Sequence, residues 1–281
     1  MASLYFITAI YGKYEATCKP FVTQTVPTDF ICFTENPNMV SNGWIIDTTP
    51  YHLTHPSVLD TGSLRNSIKT NKHTFNIAKY YKQAFQNIPR LQSYDVIVWL
   101  DGTVEITNPM TTAYLLRTTA LHKIVGWHHE WRFGQLDQEV NASNMFRYTS
   151  THWNNQEQPY QNIFEQYNDY LMDGYDEDYF RQSYVTTIQA NLATEYPITI
   201  SPHIGVWITC FVAFLNHDSQ VRDFLNVWYT QTLRYTTQDQ IGFPYALWKQ
   251  KMIPYTLPNH EISGDCPHQG TQFYIKHDHG K

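Results

Sequence analysis

Asp101 follows the apolar run VIVWL and precedes Gly102 and Thr103. A carboxylate delivered to the tip of a buried strand is costly unless its charge is compensated. At a sheet edge it can hold a divalent cation, and such a cation can neutralise a diphosphate. Gly102 lets phosphates approach the backbone closely. The plain alternative is an Asp-Gly turn closing a strand. His128-His129-Glu130-Trp131-Arg132 is a second candidate. His beside Glu suggests a metal, yet neighbours in a strand point to opposite faces, and the HExxH spacing of zinc hydrolases is absent. The segment reads better as a polar strand end lining a substrate pocket, with Arg132 as an anion or sugar contact. A metal hydrolase built on these residues stays open as an alternative.

Thr237-Gln238-Asp239-Gln240 stands at the expected start of a helix. Asp239 there either complements the helix dipole or serves as a general base aimed into a cleft. Arg65, Lys69 and Lys72 lie about a helical turn apart, as a solvated face or as groups reaching a diphosphate. The tail DCPHQGTQFYIKHDHGK carries His268, His277 and His279, and His277 can reach back to a metal.

The elements that must position these residues alternate. LYFITAIYG (4–12), DFICFTEN (29–36) and GWIID (43–47) read as strands. From Ser63 to Gln86 the apolar residues recur at helical spacing. YDVIVWL (94–100) is the most apolar strand, and NPMTTAYLLRT (108–118) a helix with Asn108 as cap and Pro109 in its first turn. HKIVGWHHE (122–130) returns to strand. The section from 134 to 175 is polar and helical, and 198–216 supplies strand and turn. SQVRDFLNVWYTQTL (219–233) and QDQIGFPYALWKQ (238–250) are helices, the second kinked or begun late by Pro244. From Pro254 the tail wraps back over the domain. This alternation predicts an α/β fold with a mostly parallel sheet, whose ligands bind beyond the carboxyl ends of strands. Asp101 lies at such an end. Neither GxGxxG nor GxxxxGK[ST] occurs.

Of 281 residues, 42% are hydrophobic and 16% charged, which excludes a disordered chain. With a net charge of -6 and scattered basic residues, a nucleic-acid partner is not expected. No apolar window is long enough to span a membrane, and the N-terminus has no signal-peptide pattern. Cys18, Cys32, Cys210 and Cys266 form no CxxC pair and read as reduced thiols in an intracellular, cytoplasmic setting. The sequon Asn141-Ala142-Ser143 then reads as incidental.

Taken in order, FITAIYGKYE, DFICFTEN, RNSIKTNKH, YDVIVWLDGTVEITNP, HHEWR, EQYNDYLMDGY and TTQDQIGFPYALWK, with His277 eleven residues beyond Cys266, resemble the glycosyltransferase family known as DUF616. That family reads WIDGK where this chain has Trp99-Leu100-Asp101-Gly102-Thr103, and RDQLSF where it has Gln238 to Phe243. The resemblance implies a GT-A-like single domain over 1–281, with 1–130 binding a UDP-sugar donor and 131–281 the acceptor and tail. It implies Mn²⁺ or Mg²⁺ held by Asp101 and His277, and Asp239 as the general base of an inverting transfer to an oligosaccharide or glycoprotein. Thr8, Ala9 and Tyr11 border the uridine in this reading. Arg65, Lys72, Asp101 and Gly102 hold the donor, and His128, His129, Arg132 and Gln240 face the acceptor. Thr103 stands where the metal motif carries a second acid. A retaining transferase, and an inactive nucleotide-sugar or glycan binder, stay open as alternatives. The chain's economy also resembles the chlorovirus transferases that decorate capsid glycans in the host cytoplasm, a xylosyltransferase among them.

Overall fold

The computed structural model describes residues 2–12, 14–51, 74–132, 134–144, 152–153, 156–157, 163–182, 204–257, 259–260, 263–265 and 272–279. Arg65, Lys69, Lys72, Cys266 and His268 lie outside them, as does the side chain of Glu130.

Apolar runs without alternation form strands buried on both faces, and four of them build the centre of the main sheet. These are β1 (Leu4–Ile10), β4 (Val96–Leu100), β6 (Ile124–His128) and β9 (Trp207–Leu215). β2 (Asp29–Thr34) and β3 (Ile45–Asp47) extend one side, and β10 (Tyr255–Leu257) closes the other. The order is β10-β6-β9-β4-β1-β2-β3. Every pairing is parallel except those of β9, which runs antiparallel between β4 and β6. This is the mixed, mostly parallel sheet flanked by helices that the alternation predicts.

The described helices are α1 (Thr74–Gln83), α2 (Thr111–His122), α3 (Leu136–Ser143), α4 (Ile163–Met172), α5 (Ser219–Arg234) and α6 (Asp239–Lys249). α1 packs on β1 and α5, α2 on β6 and β9, and α6 on β9, α3 and α5. No described helix is long and apolar enough to cross a membrane. α6 begins at Asp239 and accommodates Pro244 within it, so the proline does not delay its start. Asn108 precedes α2 rather than capping it directly: Met110 is the N-cap, and its N–H donates to Asn108 Oδ1 at 2.9 Å. The stretch expected to be helical throughout is interrupted by a short hairpin of β7 (His152–Trp153) and β8 (Gln156–Glu157).

The tail does wrap back, as a strand. β13 (Gln272–Lys276) lies antiparallel to β5 (Val104–Ile106), the segment just after Asp101. β11 (Asn259–His260) and β12 (Ser263–Asp265) complete this second sheet in the order β11-β12-β13-β5. Phe273 and Tyr274 bury the strand, with Tyr274 5.6 Å from Trp127 and Phe273 5.0 Å from Tyr114, centroid to centroid. Cys18, Cys32 and Cys210 are buried and form no disulfide.

Phe273→Ala empties a fully packed aromatic site, and its expected cost is ~3–5 kcal/mol of unfolding free energy. Urea denaturation followed by Trp fluorescence reads the change. An unmoved midpoint would mean that β13 lies outside the cooperative fold.

Candidate functional site

β4 delivers Asp101 by strand arithmetic. Residues two apart share a face, so Trp99 and Asp101 lie side by side, and the indole N–H donates to Asp101 Oδ1 at 2.7 Å. The Asp101 N–H makes the last ladder bond, to Cys210 O at 2.7 Å, and Val104 N–H closes a turn on Asp101 O at 2.9 Å. A Cβ at Gly102 would stand 3.1 Å from Ile10 Cγ1, so the turn fits closely under the end of β1. The carboxylate itself is 38% exposed.

α1 brings cations to this edge. Lys79 and Lys82, three apart, occupy one helix face and converge on Asp239 at the first turn of α6. Their Nζ atoms lie 3.0 and 2.5 Å from Asp239 Oδ2. Lys82, only 1% exposed, also lies 3.6 Å from Asp101 Oδ1 and so bridges the two carboxylates. Its ammonium faces the Trp99 and Trp228 rings at 5.6 and 5.7 Å, where ring quadrupoles favour a cation. Thr209 donates to Asp239 Oδ1 at 3.0 Å, and Trp228 donates to the Asp239 carbonyl at 2.8 Å.

Burial alone would raise the Asp239 carboxyl, but Lys79 and Lys82 outweigh it and hold it down at about 2. Asp101 is likewise lowered, burial being overcome by Lys82 and then Lys79. Burial lowers Lys79 despite its carboxylate neighbours, whereas Asp239 and Asp101 outweigh burial at Lys82 and raise it. At neutral pH Asp239 is therefore a firmly held anion.

Beside this network opens a cleft whose empty space, open solvent included, is about 960 Å³. Ala9, Ile10 and Tyr11 from the end of β1 form one wall, and Trp99, Asp101 and Gly102 form another. Lys79, Thr237 and the tail residues Lys276 and His279 complete the charged and polar rim. The β13–β5 register sets Lys276 opposite Val104, which places the tail cation next to the Asp101 turn. His279 Nδ1 meets Glu15 Oε1 at 3.0 Å and its Nε2 meets the Tyr14 hydroxyl at 3.0 Å.

A second polar cluster braces the other side of α6. Glu139, buried on α3, accepts from Arg132 Nε and Gln238 Nε2 at 2.7 Å, Ser143 Oγ at 2.9 Å and Gln240 Nε2 at 3.2 Å. The two glutamines flank Asp239. His129 Nε2 approaches Glu139 to 3.7 Å, but burial pushes its imidazole down to about 4, so it is neutral near pH 7.

Asp101, Gly102, Ala9 and Tyr11 thus meet at one cleft, while Thr8 is buried within β1. His129, Arg132 and Gln240 gather around Glu139, and His128 is buried at the end of β6. His277 does not face Asp101: its Nε2 lies 2.7 Å from Glu105 Oε2, and its N–H donates to Thr103 O at 2.9 Å. Arg132 is committed to Glu139 instead of opening to an anion. Lys79, Lys82, Glu139, Thr209 and Lys276 join these clusters, the last three without any spacing in the sequence that marks them. A lysine pair three apart on a helix otherwise flanked by aromatic residues was the available signal.

Among the described residues the donor set around Asp101 does not fit a metal held by protein ligands. Asp101 Oδ1 already holds an indole N–H and faces an ammonium, His277 is paired elsewhere, and Thr103 is buried. Among the described residues no three His, Cys, Asp or Glu converge as a ligand set.

No family model matches the chain, and no curated protein does. Among solved structures the chain is similar to the mannosyltransferase Ktr4p of S. cerevisiae, at 9% identity over 95% of this chain and 72% of that one, with a TM-score of 0.41. It is also similar to mouse xyloside xylosyltransferase 1 in its apo form, at 8% identity over 91% and 84%, with a TM-score of 0.39. A third is the apo bifunctional glycosyltransferase WbbM, at 10% identity over 90% of this chain but only 38% of that one, with a TM-score of 0.38.

An unfolded aspartate titrates at about 3.9, whereas folded Asp239 titrates at about 2. The folded state binds fewer protons between these values, so the stabilisation is complete above the unfolded pKa and is lost as pH falls through the folded one. It amounts to ~2 kcal/mol for this group. Urea titrations between acid and neutral pH should show this loss in the native chain and a shallower acid limb in Asp239→Asn. Identical pH profiles would contradict the ion network.

Proposed function

We propose that the chain is a glycosyltransferase that moves a sugar from a UDP-sugar to a hydroxyl of a glycan. The observation that carries this reading is the convergence of Asp101, at the carboxyl end of a central strand, with Lys79 and Lys276 on one open cleft. A diphosphate between two sugar rings needs backbone access, positive charge and flat apolar walls. Gly102, the two lysines, and the Tyr11 and Trp99 side chains supply them. Ala9, Ile10 and Tyr11 are assigned to the nucleoside, and the side towards Thr237 and Gln240 to the acceptor.

In the reaction the anomeric carbon–oxygen bond to the diphosphate breaks and its electron pair leaves with the phosphate. The acceptor oxygen forms the new bond to that carbon. Ammonium groups preorganised beside the departing phosphate favour the charge that develops there. Asp239 is buried behind the cleft, and its part is that of the anion that holds Lys79 and Lys82. A carboxylate with a pKa of about 2 is a poor proton acceptor near neutral pH. That favours the second stereochemical reading, in which configuration is retained and the acceptor proton passes to the departing phosphate oxygen.

Transfer assays with a panel of UDP-sugars, UDP-xylose included, and oligosaccharide acceptors test the reading. Asp101→Asn and Asp239→Asn should each lower kcat/KM by about 10²-fold or more, and NMR of the product should show retained configuration. An inverted product would restore Asp239 as the base. Undiminished turnover in both variants would remove the site from the chemistry.

A further inference from the structure

We infer that this chain binds the donor diphosphate with its own ammonium groups, Lys79 and Lys276, and needs no divalent cation to hold it. The inference rests on the donor assignment above and departs from what the motif resemblance implies.

The place where a cation would sit is already positively charged. Lys82 lies 3.6 Å from Asp101 Oδ1, and the same oxygen accepts the Trp99 indole N–H. A cation approaching this carboxylate meets repulsion from Lys82 and finds an oxygen already engaged. Magnesium-like ions demand several oxygen ligands in near-octahedral array, and among the described residues the neighbouring Asp239, Glu15 and Glu105 are committed. Asp239 is buried with two ammoniums, Glu15 pairs with His279 and Lys19, and Glu105 pairs with His277. At the third position of the Asp-Gly-Thr turn, Thr103 is buried.

Without a metal the site does not repel an anion: Lys79 and Lys82 formally balance Asp101 and Asp239, and Lys276 leaves one net positive charge on the cleft rim. Lys82 is too deeply buried to touch a ligand and acts as a positioning residue for Asp101. Lys79 and Lys276 line the cleft and can. They reach the cleft from two elements, α1 and β13, so a diphosphate seated over Gly102 would share the cleft with both cations. Lysine serves here as a compact point charge with three donors.

The test is calorimetric titration of the full chain with UDP and with inorganic pyrophosphate, once in EDTA and once with added Mn²⁺. The expected result is saturable binding in EDTA with nearly the same affinity as with Mn²⁺. Lys276→Ala, a change at the rim that spares the buried network, should weaken pyrophosphate binding by about tenfold or more, with recovery in Lys276→Arg. Binding that appears only with Mn²⁺ would overturn the inference while leaving the donor assignment standing. Binding of neither ligand under either condition would overturn the donor assignment itself. Unchanged affinity in Lys276→Ala would overturn the role given to the tail.

Discussion

The buried ammonium of Lys82 sets the arrangement of everything around it. A charge taken out of water needs close partners, and Lys82 finds two carboxylates and two indole faces. Those partners come from β4, α5 and α6, and Lys82 itself from α1, so four elements must meet for the charge to be tolerated. Removing either partner would leave a buried ion uncompensated, which costs more than the pair contributes. The candidate site is built on this constraint: Asp101 points where Lys82 and Trp99 allow, and Asp239 is drawn inward from the start of its helix.

The start of α6 is braced from two directions by opposite charges. Lys79 and Lys82 hold Asp239, and Glu139 holds the glutamines on either side of it. A helix start otherwise leaves backbone donors unpaired and readily frays. Here the side chains of Gln238 and Gln240 are held by α3 and that of Asp239 by α1, so two helices fix the first turn of a third. The tail contributes from outside the main sheet: β13 pairs with β5 and carries Lys276 to the cleft, tying the chain's end to the turn after Asp101.

Much of the sheet was legible because strands buried on both faces are uninterrupted apolar runs, as VIVWL and WITCFVAFL are. Asp101 was legible for the same reason, as a charge at the end of such a run. The second sheet was not, because VEI and QFYIK are too short and mixed to stand out, and their pairing joins residues far apart in sequence. His277 was singled out by residue type, yet the direction of a side chain depends on register, and the register turns it to Glu105. Lys79 and Lys82 read as polar positions of an amphipathic helix; only the tertiary approach of Asp239 reveals them as buried ions. Glu139 was hidden in a polar stretch, where nothing local marks a carboxylate that will receive four donors.

Whether the cleft beside Asp101 binds a nucleotide sugar, as proposed, is read by a thermal-shift titration. A ligand bound only by the folded chain raises Tm with its concentration. A saturating rise is expected with at least one UDP-sugar in the native chain, and a much smaller rise in Asp101→Asn. No rise with any nucleotide sugar, or an equal rise in both proteins, would contradict the proposal.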